Sequence, residues 1–145
     1  MMALSVEHHP RNIFERQIEC VIADDREAQL ALFADDCVWE FPFAPAGLPR
    51  RLVGRAEIRR AMMPLWESAR RIARGAPKLY IRAIHEANDP EVIVAEFDLG
   101  GAEYRLSFVQ VVRVRNGFIN EIREYANPMD LAQLWRRHEP AAAPS

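Results

Sequence analysis

The second half of the chain alternates apolar and polar side chains with a period of two. Such alternation is typical of strands that bury one face and expose the other. Asn88-Asp89-Pro90 and Asn116-Gly117 interrupt it as turn signals, and the latter suits a two-residue hairpin turn. We predict four strands, over residues 78–86, 91–99, 102–115 and 118–126. Consecutive hairpins of this kind make an antiparallel sheet the main layer of the fold.

Helical spacing dominates the first half of the chain. Apolar residues recur at helical intervals over residues 12–23 and again after Ala56, which predicts two amphipathic helices. Asp24 and Glu27 have the spacing of a capping box for another helix between these two. Pro64 should kink or split the long helix, because proline removes a backbone donor. The remaining predictions are a second helix that ends at residues 34–36, strands over residues 37–43 and 50–53, and a short helix after Pro128.

The length of 145 residues suits one domain, and a hydrophobic content of 50% supplies enough material for a core. We place this domain at residues 11–137, between a flexible leader over residues 1–10 and a disordered tail over residues 138–145. Helices followed by an antiparallel sheet define the α+β class. A curved sheet wrapped around a long helix leaves a cavity between them, and small molecules usually bind in such cavities.

Composition excludes several classes of function. The net charge of −2 lacks the basic excess of nucleic-acid-binding proteins, so we expect no nucleic-acid partner. Cys20 and Cys37 are spaced too widely for a CxxC unit, and no metal-ligand or phosphate-binding motif occurs, so we predict neither metal nor cofactor. The sequence has no apolar run long enough to span a bilayer and no signal-peptide pattern, which predicts a cytoplasmic protein without membrane contact.

Alternation assigns the side chains of the last two strands to faces. Gln110 is the one polar residue on the core face of its strand. Glu124 shares a face with Ile122 in the next strand, so an inward Ile122 places a carboxylate inside as well. Burial should raise the pKa of this carboxyl and suit it to acid/base chemistry near neutral pH. The alternative is a register shift that pairs Glu124 with Arg105 or Arg113 on the outer face.

Three further titratable residues are candidates for the same pocket. Glu96 and Asp98 lie opposite the wholly apolar face of their strand, so we expect both carboxylates outside the core. If that register is wrong, they join Glu124 in an acidic pocket. His85 alternates with Ile81 and could be a second acid/base in the pocket, although a lone histidine on a strand is more often structural.

The outer face of the strand over residues 102–115 is charged at both ends and apolar at Val109 and Val111. An exposed apolar strip on a sheet is typical of a partner surface, so we predict a homodimer packed through this face. The alternative is that the two valines reflect strand propensity alone.

Several segments resemble SnoaL-like and ketosteroid isomerase-like proteins of the nuclear transport factor 2-like superfamily. Phe33–Trp39 is similar to their passage from helix to strand, and Gly54–Ile58 to the start of their long helix. Val112–Ile119 with Arg123-Glu124-Tyr125 is similar to their final hairpin. The resemblance covers nearly the whole chain. It implies a cone-shaped α+β fold, in which a curved antiparallel sheet wraps around the long helix and further helices lie at the N-terminus.

Phe41–Pro45 and Arg123–Pro128 more narrowly resemble the phenazine biosynthesis A/B branch. That resemblance implies a small dimeric enzyme whose acid/base glutamate corresponds to Glu124. A similarity to limonene epoxide hydrolase also places an acidic residue at Glu124, with Asp98 as its partner carboxylate. The arginine of that family would fall near Glu96, which departs from the family's pattern.

Ketosteroid isomerase itself is not matched at the positions that its mechanism needs. Its general-base aspartate falls on Phe41, and its oxyanion-hole tyrosine and aspartate fall on Gln17 and Gln110. None of the three is retained, so the resemblance implies that this chain is not a ketosteroid isomerase. The aligned positions still support inward side chains at Gln110 and Glu124.

These observations favour a cofactor-independent enzyme of the isomerase, cyclase, condensation or hydration type, acting on an apolar or aromatic small molecule. Glu124 is its predicted catalytic acid/base. The alternatives are a non-catalytic binding or accessory protein of the same fold and a protein–protein adaptor that acts through the open sheet face. The predicted substrate-binding residues are Gln110, Gln17, Trp39, Phe41, Trp66, Phe97 and Phe108.

Overall fold

The structure, a computed structural model, describes residues 5–73, 77–101 and 104–138. The helices within these ranges are a 3-10 turn Val6–His8 and α-helices α1 Pro10–Ile22, α2 Arg26–Ala31, α3 Arg55–Ala73 and α4 Pro128–His138. The strands are β1 Phe33–Glu40, β2 Arg51–Val53, β3 Lys78–Glu86, β4 Val92–Gly100, β5 Arg105–Arg115 and β6 Phe118–Ala126. Residues 139–145 of the predicted tail lie outside the described residues.

The six strands form one curved sheet in the order β2-β1-β6-β5-β4-β3. β3 to β6 are joined as consecutive antiparallel pairs, which confirms the prediction from alternation, and β2 pairs antiparallel with β1. β1 runs parallel to β6, so the sheet is mixed, with one parallel pairing in addition to the predicted antiparallel ones. Two parallel strands need a long connection between them. Here the chain between β1 and β6 contains α3 and the strands β2 to β5.

Helices α1 and α3 cover the inner face of the sheet. α1 contacts β3, β4 and β5, whereas α3 contacts β1 and β2. Ile13 and Phe14 of α1 are 1% and 0% exposed, and they belong to one core with Val112 and Ile122 of the sheet. The fold is therefore α+β with its core between helices and sheet, as the residue pattern and the resemblance both predict.

Several helix boundaries differ from the prediction, and α2 ends at Ala31 rather than at residues 34–36. α1 begins at Pro10 rather than at Asn12, because proline is favoured in the first turn, where its missing donor would have no partner. Asp25 rather than Asp24 caps α2, since the Asp25 carboxylate accepts a hydrogen bond from the backbone of Ala28 at 3.0 Å. Asp24 instead takes a left-handed φ of 55° in the turn between the two helices.

β1 begins at Phe33, four residues before the predicted strand, and ends at Glu40. The cause is a long-range pairing, because Phe33 is the register partner of Ile119 and the backbone N–H of Ile119 donates to the carbonyl of Leu32 at 2.8 Å. This pairing could not be inferred from the residues around Phe33 alone, because its partner lies far along the chain. Phe33 is fully buried in this strand.

α3 continues unbroken through Pro64, so the predicted split of this helix is wrong. Pro64 is exposed, whereas Ile58 and Met62 on the same helix are buried against the sheet. The hydrogen bond that proline removes is therefore lost on the solvent side, and the packing of the inner face holds the helix together.

Candidate functional site

A cavity of about 160 Å³ lies between the inner face of the sheet and helices α1, α2 and α3. Its lining is mostly apolar and comes from elements along the whole chain. The helices contribute from one side and strands β1 and β3 to β6 from the other. The eight residues predicted for the pocket all line it: Gln17, Trp39, Phe41, Trp66, Phe97, Phe108, Gln110 and Glu124.

Gln110 and Glu124 face each other across β5 and β6 as direct register partners. Gln110 Nε2 donates to Glu124 Oε1 at 2.5 Å, while Gln110 Oε1 is buried without a hydrogen-bond partner among the described residues. Burial raises the pKa of the Glu124 carboxyl from 4.5 to about 7, and the hydrogen bond offsets part of that rise. No cation in the described part of the chain pairs with this carboxylate. The alternative register, in which Glu124 pairs with Arg105 or Arg113 on the outer face, is therefore wrong.

Aromatic rings form the walls beside this pair. Trp39 stacks with Phe41 at a centroid distance of 5.4 Å, and Phe97 stacks with Phe108 at 5.3 Å. The rings of Trp39 and Trp66 lie 6.4 Å apart. The indole Nε1 of Trp39 is buried, and no described residue accepts a hydrogen bond from it. Apolar walls with a few buried polar atoms suit an organic molecule that carries one or two polar groups.

A second polar cluster, formed by Arg26, Gln29 and Gln17, also lines the cavity. Arg26 Nη1 donates to Gln29 Oε1 at 2.8 Å, and Gln29 Nε2 donates to Gln17 Oε1 at 3.3 Å. The Arg26 guanidinium lies 4.7 Å from the centroid of the Trp66 ring. Neither Arg26 nor Gln29 was predicted to line the pocket, and Arg26 lies inside the segment predicted as a capping box. The signal was their spacing, since both share a helical face with the buried Leu30.

His85, Glu96 and Asp98 lie on the outer face of the sheet, away from the cavity. The outward placement of the two carboxylates is the one that the apolar face of β4 predicts. The proposed pocket role of His85 is wrong, because a bulge in β3 between Ile81 and Ala83 reverses the alternation beyond it. His85 Nε2 instead lies 2.8 Å from Glu96 Oε2 at the surface.

Asp98 is buried by its own ion pairs. Arg82, Arg105 and Ser107 all donate to its carboxylate, at 3.0, 2.7 and 2.7 Å. The hydrogen bonds from Arg82, Ser107 and Arg105 hold the pKa of Asp98 well below its usual range. A carboxylate fixed in this way on the outer face cannot partner Glu124, which removes the pairing that the limonene epoxide hydrolase-like alternative needs.

Other kinds of site are not formed by the described residues. Across residues 5–73, 77–101 and 104–138, no three His, Cys, Asp or Glu side chains are grouped so as to hold a metal ion. None of the helices in the described ranges is both long and apolar enough to cross a membrane. Cys37 is a free thiol in the core, where burial raises its pKa to about 12. The cavity is therefore the candidate functional site.

Residues 14–122 match the SnoaL-like domain, and the chain belongs to this family. The uncharacterized protein YesE of Bacillus subtilis (strain 168) is 29% identical over 131 residues, which cover 81% of this chain and 86% of that protein. RV0760c from Mycobacterium tuberculosis, solved in complex with estradiol-17beta-hemisuccinate, has a TM-score of 0.67 at 22% identity over 83% of this chain and 95% of that chain. A steroid delta-isomerase from Pseudomonas aeruginosa has a TM-score of 0.67 at 15% identity over 95% of this chain and 93% of that chain.

The family match confirms the SnoaL-like resemblance, and similarity to a solved NTF2-like protein from Cytophaga hutchinsonii, with a TM-score of 0.65 at 11% identity over 91% of this chain and 99% of that chain, confirms the predicted fold. The narrower resemblance to phenazine biosynthesis proteins is not confirmed. RV0760c and the steroid delta-isomerase are less than 25% identical to this chain, so the comparison with them establishes a shared fold. It does not establish a shared ligand or reaction. What this chain does must therefore be argued from the groups in its own cavity.

Proposed function

We propose that this protein is a cofactor-independent enzyme that uses Glu124 as a general acid/base on an apolar or aromatic small molecule. One observation carries the proposal. The Glu124 carboxyl lies in an apolar cavity, has one amide hydrogen bond and no cationic partner among the described residues, and burial raises its pKa to about 7. A carboxyl whose pKa is close to the ambient pH populates both protonation states, so it can accept a proton and later return it.

The simplest reaction available to such a site is proton transfer beside a carbonyl group. The Glu124 carboxylate takes a proton from the carbon next to the carbonyl, and the electron pair moves into an enolate. The carboxyl then returns the proton to the same carbon or to another atom. The Trp39 Nε1–H, which has no partner among the described residues, is a donor for the carbonyl oxygen and for the developing enolate. Isomerisations, cyclisations and condensations share this step.

Deuterium exchange tests the proposal without knowledge of the natural substrate. We expect the protein to accelerate the incorporation of deuterium from D2O into acetophenone and 1-tetralone, measured by proton NMR. The rate should rise through about pH 7 and then level off, because only the ionised carboxyl accepts a proton. The control is an equal concentration of free acetate. Binding of either ketone without exchange above the control would contradict the enzyme and favour the binding protein.

We also propose that the protein is a homodimer built through the outer face of the sheet. Val109 and Val111 lie half-buried at the centre of this face in one chain. Ion pairs border them, with Arg113 Nη1 at 2.9 Å from Asp89 and 3.1 Å from Glu91. An apolar centre inside a charged and internally paired rim has the composition of a protein interface.

Val111→Glu is expected to convert this dimer into a monomer, because it places a charge at the apolar centre of the interface, where association would remove it from water. Sedimentation velocity measures the change. Val53→Glu is the matched control, since Val53 is 53% exposed on the short strand β2 and lies outside the valine strip. A monomeric wild-type protein, or a Val111→Glu variant that stays dimeric, would contradict the proposed interface.

A further inference from the structure

The cavity contains a buried arginine that the proposed chemistry does not use. The Arg26 side chain is 11% exposed, and its Nε is buried without a hydrogen-bond partner among the described residues. One nitrogen donates to Gln29, and the guanidinium faces the ring of Trp66. Burial lowers the pKa of Arg26, although an arginine remains charged at neutral pH. A buried guanidinium with an unused donor is costly unless a ligand provides the missing acceptor.

Neighbouring charges do not fully balance this cation. Asp24 Oδ1 lies 3.7 Å from Arg26 Nε, while Asp24 Oδ2 lies 3.2 Å from the Nε of Arg70, which also lines the cavity. Of the other nearby carboxylates, Asp25 is exposed and caps α2, and Glu27 is paired at the surface with Arg59. The guanidinium groups of Arg26 and Arg70 share the single carboxylate of Asp24, which leaves one net positive charge among these three side chains. A single positive charge matches a monoanion.

A neutral donor lines the same cavity as this charge. The hydroxyl of Tyr104, which also lines the cavity, is buried without a partner among the described residues. Burial raises its pKa, and the charge of Arg26 offsets part of the rise. The hydroxyl therefore keeps its proton at neutral pH. Arg26 and Tyr104 together offer two unused donors, one charged and one neutral, to a single ligand group.

We propose that Arg26 and Tyr104 form a carboxylate subsite, so that the ligand of this cavity is an apolar or aromatic carboxylic acid. The guanidinium Nε–H and the phenolic O–H donate to the carboxylate oxygens, while the aromatic walls hold the hydrocarbon part. This inference rests on the proposed function in one respect, which is that both place a small molecule in the same cavity. It does not require Glu124 to act as a base.

A matched pair of probes tests the subsite: 2-naphthoate and its neutral amide, 2-naphthamide. Titration calorimetry near pH 6 keeps Glu124 largely protonated while the naphthoate is ionised. We expect naphthoate to bind at least about ten times more tightly than naphthamide. Arg26→Gln should weaken naphthoate binding by about ten- to a hundredfold and leave naphthamide nearly unaffected. Arg59→Gln, which removes an arginine paired with Glu27 at the surface, is the control and should change neither affinity.

Equal affinity for the two probes, absence of naphthoate binding, or naphthoate affinity that is unchanged in Arg26→Gln would each overturn the subsite. Tyr104→Phe provides a second variant if Arg26→Gln fails to fold, as judged by circular dichroism. It should weaken naphthoate binding by about three- to tenfold, and more than naphthamide binding, because a hydrogen bond to a charged acceptor is the stronger one.

The two proposals fail in different ways. Glu124-dependent exchange into ketones, combined with no preference for naphthoate, would overturn the carboxylate subsite alone. Arg26-dependent naphthoate binding by a protein that exchanges no ketone protons would keep the subsite and overturn the proposed acid/base function.

Discussion

Glu124→Gln is expected to lower protein-catalysed deuterium exchange into ketones by about a hundredfold or more, which is the usual contribution of a positioned general base. Glutamine has nearly the same shape as glutamate and can keep a hydrogen bond to Gln110, but it cannot accept the proton. Ketone affinity should therefore stay close to that of the wild type. Exchange is measured by proton NMR, and affinity by quenching of the fluorescence of Trp39 and Trp66, which line the cavity.

Glu96→Gln is the matched control for this experiment. Glu96 is also a strand carboxylate, but it lies on the outer face and contacts His85 rather than the cavity. Its replacement should leave both exchange and affinity unchanged. An exchange rate in Glu124→Gln equal to that of the wild type would show that the carboxyl is not the base. A similar loss of rate in both variants would point to an effect on folding instead.

The inward orientation of the polar pair in the cavity was predictable from the apolar residues that flank each of the two side chains. Asn116 and Gly117 adopt left-handed φ angles of 54° and 79°, as the two-residue turn predicted from their sequence requires. Alternation from the inward Ile122 places Glu124 on the inner face, as alternation from Val112 places Gln110 there. The register of the turn alone would set Gln110 opposite Arg123, and a bulge between the turn and this pair shifts the register by one residue, which makes Glu124 its partner.

The remaining features depend on contacts between distant segments or on irregular strands. The burial of Arg26 depends on Trp66, which is contributed by another helix, so the pattern of α2 alone could not reveal it. Only the assembled cavity leaves the hydroxyl of Tyr104 without a partner among the described residues. His85 was misplaced because a bulge adds one residue to β3 and leaves no mark in the alternation before it.

Glu124→Gln is also expected to stabilise the protein at alkaline pH, by up to about 3 kcal/mol. The pKa of this carboxyl is raised by burial from 4.5 to about 7, so the folded state holds the proton more tightly than the unfolded state. The contribution of this carboxyl to the stability of the wild type is fully present below about pH 4.5. That contribution is lost as pH rises through about 7, where the buried group ionises. Each pKa unit corresponds to about 1.4 kcal/mol, which gives the expected magnitude.

Urea unfolding at about pH 4.5 and about pH 8.5 measures this effect as the difference between variant and wild type. Groups common to both proteins cancel in that difference, so its change with pH reports the Glu124 carboxyl alone. Glu121→Gln is the control on the same strand, because its carboxylate pairs with Arg123 at 3.1 Å on the outer face. It should give no stabilisation at alkaline pH. A pH-independent difference for Glu124→Gln would mean that water reaches the carboxyl freely, and the physical basis of its acid/base role would be lost.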